Sequence, residues 1–146
     1  MTITAAKYDD FASVYSLYAV LMGKEPAFSE KEYGKFLDEK AQHLALVKDA
    51  SGSAIGLIAW RVWPAALSFR EKICFIQDVI VVPEHRGEGL GSSLIKHVKD
   101  WARSQGIKVV HAQTDKDNNE SALRFYQRNG FEARNLGLFS RIQHGR

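Results

Sequence analysis

Ten stretches of this 146-residue chain carry periodic hydrophobic patterning, separated by glycines, prolines or clustered polar residues. Residues 2–6 are a short apolar run and predict a first strand. Phe11, Val14, Tyr15, Tyr18, Leu21 and Met22 recur at helical spacing, with Asp9 or Asp10 as N-cap and Gly23 as terminator. Ser29 with Glu32 three residues on is a capping box that opens a second short helix burying Tyr33, Phe36 and Leu37. Residues 43–48 and 54–62 alternate around the polar turn 49–53 and predict a hairpin. Pro26 and Pro64 mark loops, and residues 73–82 predict a further strand that Pro83 ends by removing a backbone donor. Leu94, Ile95, Val98, Trp101 and Ala102 then return to one face of a helix, with Gly106 as its C-cap. Residues 107–114 predict another strand. Asp117, Asn118 and Asn119 lead into a helix from Glu120 to Asn129 that Gly130 terminates. Residues 136–142 predict a last strand. The order is βααβββαβαβ, an α/β class with a mixed sheet and helices on both faces.

The densest chemistry lies between the strand ending at Val82 and the helix of Leu94. Gly87, Gly89 and Gly91 crowd that turn, and glycines there let backbone come close to a ligand with no Cβ in the way. The following helix offers free N–H groups and its positive dipole end to an anion. A dipole contributes roughly 0.3–1 kcal/mol to a bound phosphate, before hydrogen bonds are counted. Two familiar phosphate loops do not fit. No Gly-Lys pair followed by Ser or Thr occurs after these glycines, and Ser92 stands where a dinucleotide fingerprint starting at Gly87 needs its third glycine. What fits is Arg86-Gly87-Glu88-Gly89-Leu90-Gly91, an R-x-x-G-x-G pattern.

On those residues, in that strand–turn–helix setting, the chain resembles the GCN5-related N-acetyltransferase (GNAT) family. A second point of resemblance is the run from Asn119 to Phe131, which matches N-x-x-A-x-x-F/L-Y-x-x-x-G-F at every marked position. The resemblance covers nearly the whole chain and implies the family's acyltransferase fold as one domain over residues 1–146. It implies acetyl-coenzyme A as acetyl donor, with its diphosphate on Arg86, Gly87, Glu88, Gly89, Leu90, Gly91 and Ser92. Backbone around Val79, Ile80 and Val81 would pair with the pantetheine arm, and Asn119 would touch the same region. Tyr126 would be the general acid at the sulfur. A tyrosine of pKa about 10 suits a thiolate whose conjugate acid, on the cysteine scale, is about 8.5.

The acceptor amine must also lose a proton. At pKa about 10.4 only about one molecule in 2,500 is neutral at pH 7, which represents roughly 4.6 kcal/mol of barrier. Some relatives, the diamine acetyltransferases among them, place Glu where this chain has Gln77, and an amide cannot take a proton. Asp78 is the nearest carboxylate and can act through water; a strand-end residue bonded to backbone or paired with an Arg is the bland alternative. Gln77-Asp78 and the helix of residues 8–21 also look like those of aminoalkylphosphonate acetyltransferases. Trp60, Trp63 and Phe28 can stack on an amine or belong to the core. Glu25, Glu30, Glu32 and Glu71 suit a polyamine, whereas Arg61 and Arg70 suit a phosphonate or carboxylate.

Composition narrows the partners. A net charge of +3 with dispersed basic residues suits an anionic donor and does not indicate nucleic acid. Cys74, the one cysteine, sits in an apolar run and reads as a small buried hydrophobe. The five histidines are scattered, so no metal site is expected. No apolar stretch approaches membrane-spanning length, and the expected setting is cytoplasmic, without a membrane partner. The resemblance also brings a possible homodimer. The expected activity is direct acetyl transfer to a primary amine of a small molecule. The alternatives are a non-catalytic acyl-coenzyme A sensor on the same fold, or an acetyltransferase acting on a protein amine.

Overall fold

The computed structural model describes residues 1–65, 67, 71–114, 120–134 and 137–143. The chain divides into two compact units, Met1–Gln113 and Thr114–Arg146. The first is a five-stranded mixed sheet in the order β1-β2-β3-β4-β5: β1 (Thr2–Ala5), β2 (Gln42–Lys48), β3 (Ala54–Trp63), β4 (Ile73–Val81) and β5 (Val109–Ala112). The first four strands pair antiparallel in sequence order, and β5 joins β4 in parallel. That parallel pairing requires a crossover, which the helix α3 (Leu90–Ser104) supplies.

Alternation along the strands sorts the core into two layers. Leu44 and Leu46 of β2, Leu57 and Ala59 of β3 and Ile80 of β4 pack with Val14 and Leu17 of α1 (Phe11–Met22) and Tyr33 of α2 (Glu30–Asp38). On the opposite face Trp60 meets Trp101 and His97 of α3, ring centroids 5.4 and 6.0 Å apart. At Gly56 a Cβ would stand 2.8 Å from Val47 Cγ1 and 3.1 Å from the Ile80 carbonyl oxygen, so the crowding of β2, β3 and β4 there accepts only glycine.

The local signals mostly act as their chemistry dictates. Ser29 Oγ accepts from Glu32 N–H at 3.1 Å and caps α2, and Gly23 closes α1 in the left-handed region at φ 66°. Asp10 precedes α1 without capping it. Its carboxylate accepts instead from the Lys7 N–H and from Lys48 Nζ, each at 2.8 Å. The face of α1 also differs from expectation. Val14 and Leu17 are its buried positions, while Leu21 and Met22 are 49% and 45% exposed. Gly106 follows α3 at φ 72°.

In the second unit, α4 (Glu120–Arg128) is followed by Gly130 at φ 86°. The last expected strand does not form among the described residues. Residues 137–143 enter no ladder, and Leu138, Phe139 and Ile142 are exposed. A short apolar run becomes a strand only where an edge of matching register pairs with it. The expected position of Asn119 lies outside the described residues.

Candidate active site

The local irregularity of β4 places the first candidate side chain. Ala59 faces Asp78 and Trp60 faces Ile76, so Gln77 is an extra residue, a β-bulge. Without it Asp78 would share a sheet face with Ile76. With it Asp78 turns to the α1 face, where Tyr18 Oη donates to its Oδ2 at 2.8 Å. Burial of Tyr18, and next the Asp78 carboxylate beside it, push the phenol's pKa far above its usual 10, so it stays a donor at any neutral pH. Gln77 itself is exposed.

Beyond the bulge β4 has an open edge. Its parallel pairing with β5 ends at Ile76 and Ala112, and among the described residues no other strand pairs there. Val82 N–H donates to the Ile55 carbonyl, so by ladder alternation Ile80 also addresses β3 while Val79 and Val81 address the open side. Consistent with this, Arg86 Nε reaches the Val81 carbonyl at 3.0 Å. Of the three residues expected to pair with a ligand arm, Val79 and Val81 present backbone groups outward, and Ile80 puts its side chain into the core.

A single 3-10 turn, Pro83–His85, leads from β4 to the glycines. Gly87 and Gly89 have φ 80° and 83°, a region L side chains enter only at a cost. A Cβ on either would meet nothing within 4 Å, so the protein leaves free space above this backbone. Gly89 is the N-cap of α3, and no side chain caps the helix. The first helical ring closes from Ser93 N–H to the Gly89 carbonyl, which leaves the N–H groups of Leu90, Gly91 and Ser92 outside the ladder. Glu88, the acid in this turn, gives its carboxylate to His85 Nδ1 at 3.0 Å. Uncapped donors, the positive end of a 15-residue helix and open space above two glycines are what a diphosphate requires. Residues 86–92 therefore fit the diphosphate of coenzyme A.

In the second unit Tyr126 is half-buried on α4. Its ring lies between Phe125 and Phe131, centroids 5.3 and 5.4 Å away. The helix terminus folds Phe131 back through its N–H to the Tyr126 carbonyl at 3.0 Å.

The aromatic residues offered for an amine part company. Trp60 is buried at 4% exposure on the α3 face. Phe28 packs edge-on against Phe11, Tyr15 and Tyr18. Trp63 is the exposed one, stacked on Phe75 at 5.2 Å and 7°. Cys74 is fully buried, and burial pushes its thiol up to about 11, which removes it as a nucleophile. Tyr18 is the site residue that sequence reading assigned to the core alone. Its helical spacing marks it as inward-facing, and nothing local marks its hydroxyl's partner.

Comparison with known proteins identifies the family and the fold. Residues 9–131 match the acetyltransferase (GNAT) family model. An uncharacterized N-acetyltransferase of Methanocaldococcus jannaschii is 26% identical over 140 residues, covering 92% of this chain; the chain spans 60% of that protein's length. The aminoalkylphosphonate N-acetyltransferase of Salmonella typhimurium is 28% identical over 130 residues, 87% of this chain and 82% of that one. Among solved structures, the aminoglycoside antibiotic 6'-N-acetyltransferase of Acinetobacter baumannii superposes with a TM-score of 0.85 at 16% identity, over 99% of both chains. That last likeness speaks for the fold.

Proposed function

The chain belongs to the acetyltransferase (GNAT) family, and from that premise we propose that it transfers acetyl from acetyl-coenzyme A to the primary amine of a small molecule. In this reading residues 1–146 act as one catalytic domain. The observation that carries it is the uncapped start of α3, entered through Gly87 and Gly89 in the left-handed region with open space above them. Arg86 through Ser92 would hold the diphosphate, and the outward backbone of Val79 and Val81 would hold the pantetheine amides as a neighbouring strand would. Asn119 is assigned to the same arm from the sequence motif.

Bound acetyl-coenzyme A supplies an activated acyl group; the chain's own residues handle the protons. Asp78 is the proposed base, acting on the acceptor ammonium through water, with Tyr18 fixing its orientation. Tyr126 is the proposed acid, its role resting on the motif it completes. The ordinary pKa values of a phenol, about 10, and of a thiol, about 8.5, lie close enough for a tyrosine to donate to a leaving sulfur. The relative from Salmonella, by its name, acts on aminoalkylphosphonates, which supports a small-amine acceptor.

The test is thiol release from acetyl-coenzyme A over a panel of amines, with calorimetry of donor binding beside it. Tyr126→Phe should lower turnover at least tenfold with little change in donor affinity. An unaltered rate removes Tyr126 from the mechanism. Absence of both donor binding and thiol release in a folded sample overturns the whole reading.

A further inference from the structure

Residues 57, 59, 61 and 63 of β3 share the sheet face on which α1 packs. Leu57 and Ala59 are buried, Arg61 is half-buried and Trp63 is 45% exposed, so this face opens toward the end of the strand. Ala59 stands opposite Asp78, and Arg61 opposite Phe75. Arg61 is thus one same-face step from the carboxylate, about 7 Å along the strand. Trp63 and Phe75, stacked at 5.2 Å and nearly parallel, wall the far side. Among the described residues no carboxylate pairs with Arg61.

The acidic residues that would suit a polyamine are engaged or placed elsewhere. Glu71 Oε1 lies 3.6 Å from Lys108 Nζ. Glu30 and Glu32 occupy the first turn of α2, whose packing is on β2, two strands away from β4. Glu25 is exposed in the loop between α1 and α2.

We propose, on the basis of the acetyltransferase reading above, that the acceptor is an amine that also carries an oxyanion, a carboxylate or a phosphonate, and that Arg61 binds that oxyanion beside the Trp63–Phe75 pair. The planar fork of a guanidinium matches two oxygens of either anion. An aromatic wall thins the water around the pair and strengthens it. The two ends of such an acceptor meet complementary charges, its ammonium toward Asp78 and its oxyanion toward Arg61. A polyamine would instead bring a second ammonium against the guanidinium.

Thiol release measured with 2-aminoethylphosphonate, β-alanine, propylamine and putrescine tests this. The expected kcat/KM for the two anionic amines exceeds that for propylamine at least tenfold, with putrescine the poorest. Arg61→Gln should shrink that ratio at least tenfold, mainly through KM, and Arg61→Lys should restore part of it. Equal use of propylamine, a preference for putrescine, or a ratio indifferent to Arg61→Gln overturns the inference while leaving the acetyltransferase reading in place. No release with any of the four amines from a sample that binds the donor overturns this inference alone; with no donor binding either, both readings fall. Where Arg61→Gln does not fold, the wild-type ratios decide alone.

Discussion

Tyr18 and Asp78 are 60 residues apart in the chain, and their 2.8 Å hydrogen bond exists only because two independent things happen. α1 packs across β3 and β4, and the extra residue Gln77 rotates Asp78 onto that face. The bond fixes one carboxylate oxygen and leaves the other to act. Tyr18→Phe keeps the ring and removes the donor. A hydrogen bond to a charged group is worth roughly 1.5–3 kcal/mol, and about 1.4 kcal/mol is tenfold in rate. If Asp78 is the base, turnover in the phenylalanine variant should fall about tenfold or more, with donor affinity preserved. Urea unfolding should show a loss of roughly 1.5–3 kcal/mol. Turnover within twofold of wild type would mean that this bond does not serve the reaction.

At the scale of the element, legibility depended on how amphipathic each segment is. α3 alternates charged and apolar positions, and its inward residues Leu94, Ile95, Val98 and Ala102 were readable from spacing alone. α1 is apolar nearly all round, so spacing named Leu21 and Met22 where packing chose Leu17. The bulge was hidden for a different reason: no glycine marks it, and a strand of ICFIQDVIV reads equally well without it.

Where α3 crosses the sheet, His43 lies 5.3 Å from Trp60 and 4.4 Å from Trp101, and His97 faces Trp60. Burial lowers the pKa of both imidazoles below the usual 6.5, with Asp100 opposing it at His97. Below pH 6.5 the unfolded chain therefore takes up protons that the folded chain refuses. Stability contributed by these groups is present above pH 6.5 and is lost as pH falls toward the folded-state values. Carboxylates held by cations, such as Asp10, where burial is outweighed only by the hydrogen bonds and charges of Lys48 and Lys7 together, act only in a lower window, below their usual 3.8. The urea midpoint should fall between pH 7.5 and 5.5, and the fall should shrink in a His43→Gln/His97→Gln variant. An equal fall in that variant would assign the pH dependence to other groups.

For the molecule as a whole, the order of nine elements and the position of the glycine turn followed from the sequence, because each rests on contacts within a few residues. The sheet-spanning relations did not, and residues 137–143 show the limit: an apolar run was visible, but the partner edge it needed was not. The glycine turn nonetheless ties one local feature to a global property. A ligand held only by the folded state raises stability by about 2.7 kcal/mol at one hundred times its Kd. For a chain of this size, at about 2–4 °C per kcal/mol, that is a rise in Tm of about 5–11 °C with coenzyme A. Gly89→Val puts a branched side chain at φ 83° and fills the space above the backbone. The strain costs roughly 1–2 kcal/mol, so the ligand-free Tm should drop by about 2–8 °C while the shift with coenzyme A disappears. Changing Gly52, also left-handed at φ 86° but in the β2–β3 turn, gives the control: Gly52→Val should lower the ligand-free Tm comparably and keep the shift. If both variants keep the shift, the turn before α3 is not where the diphosphate binds; if both lose it, the effect is one of general destabilisation.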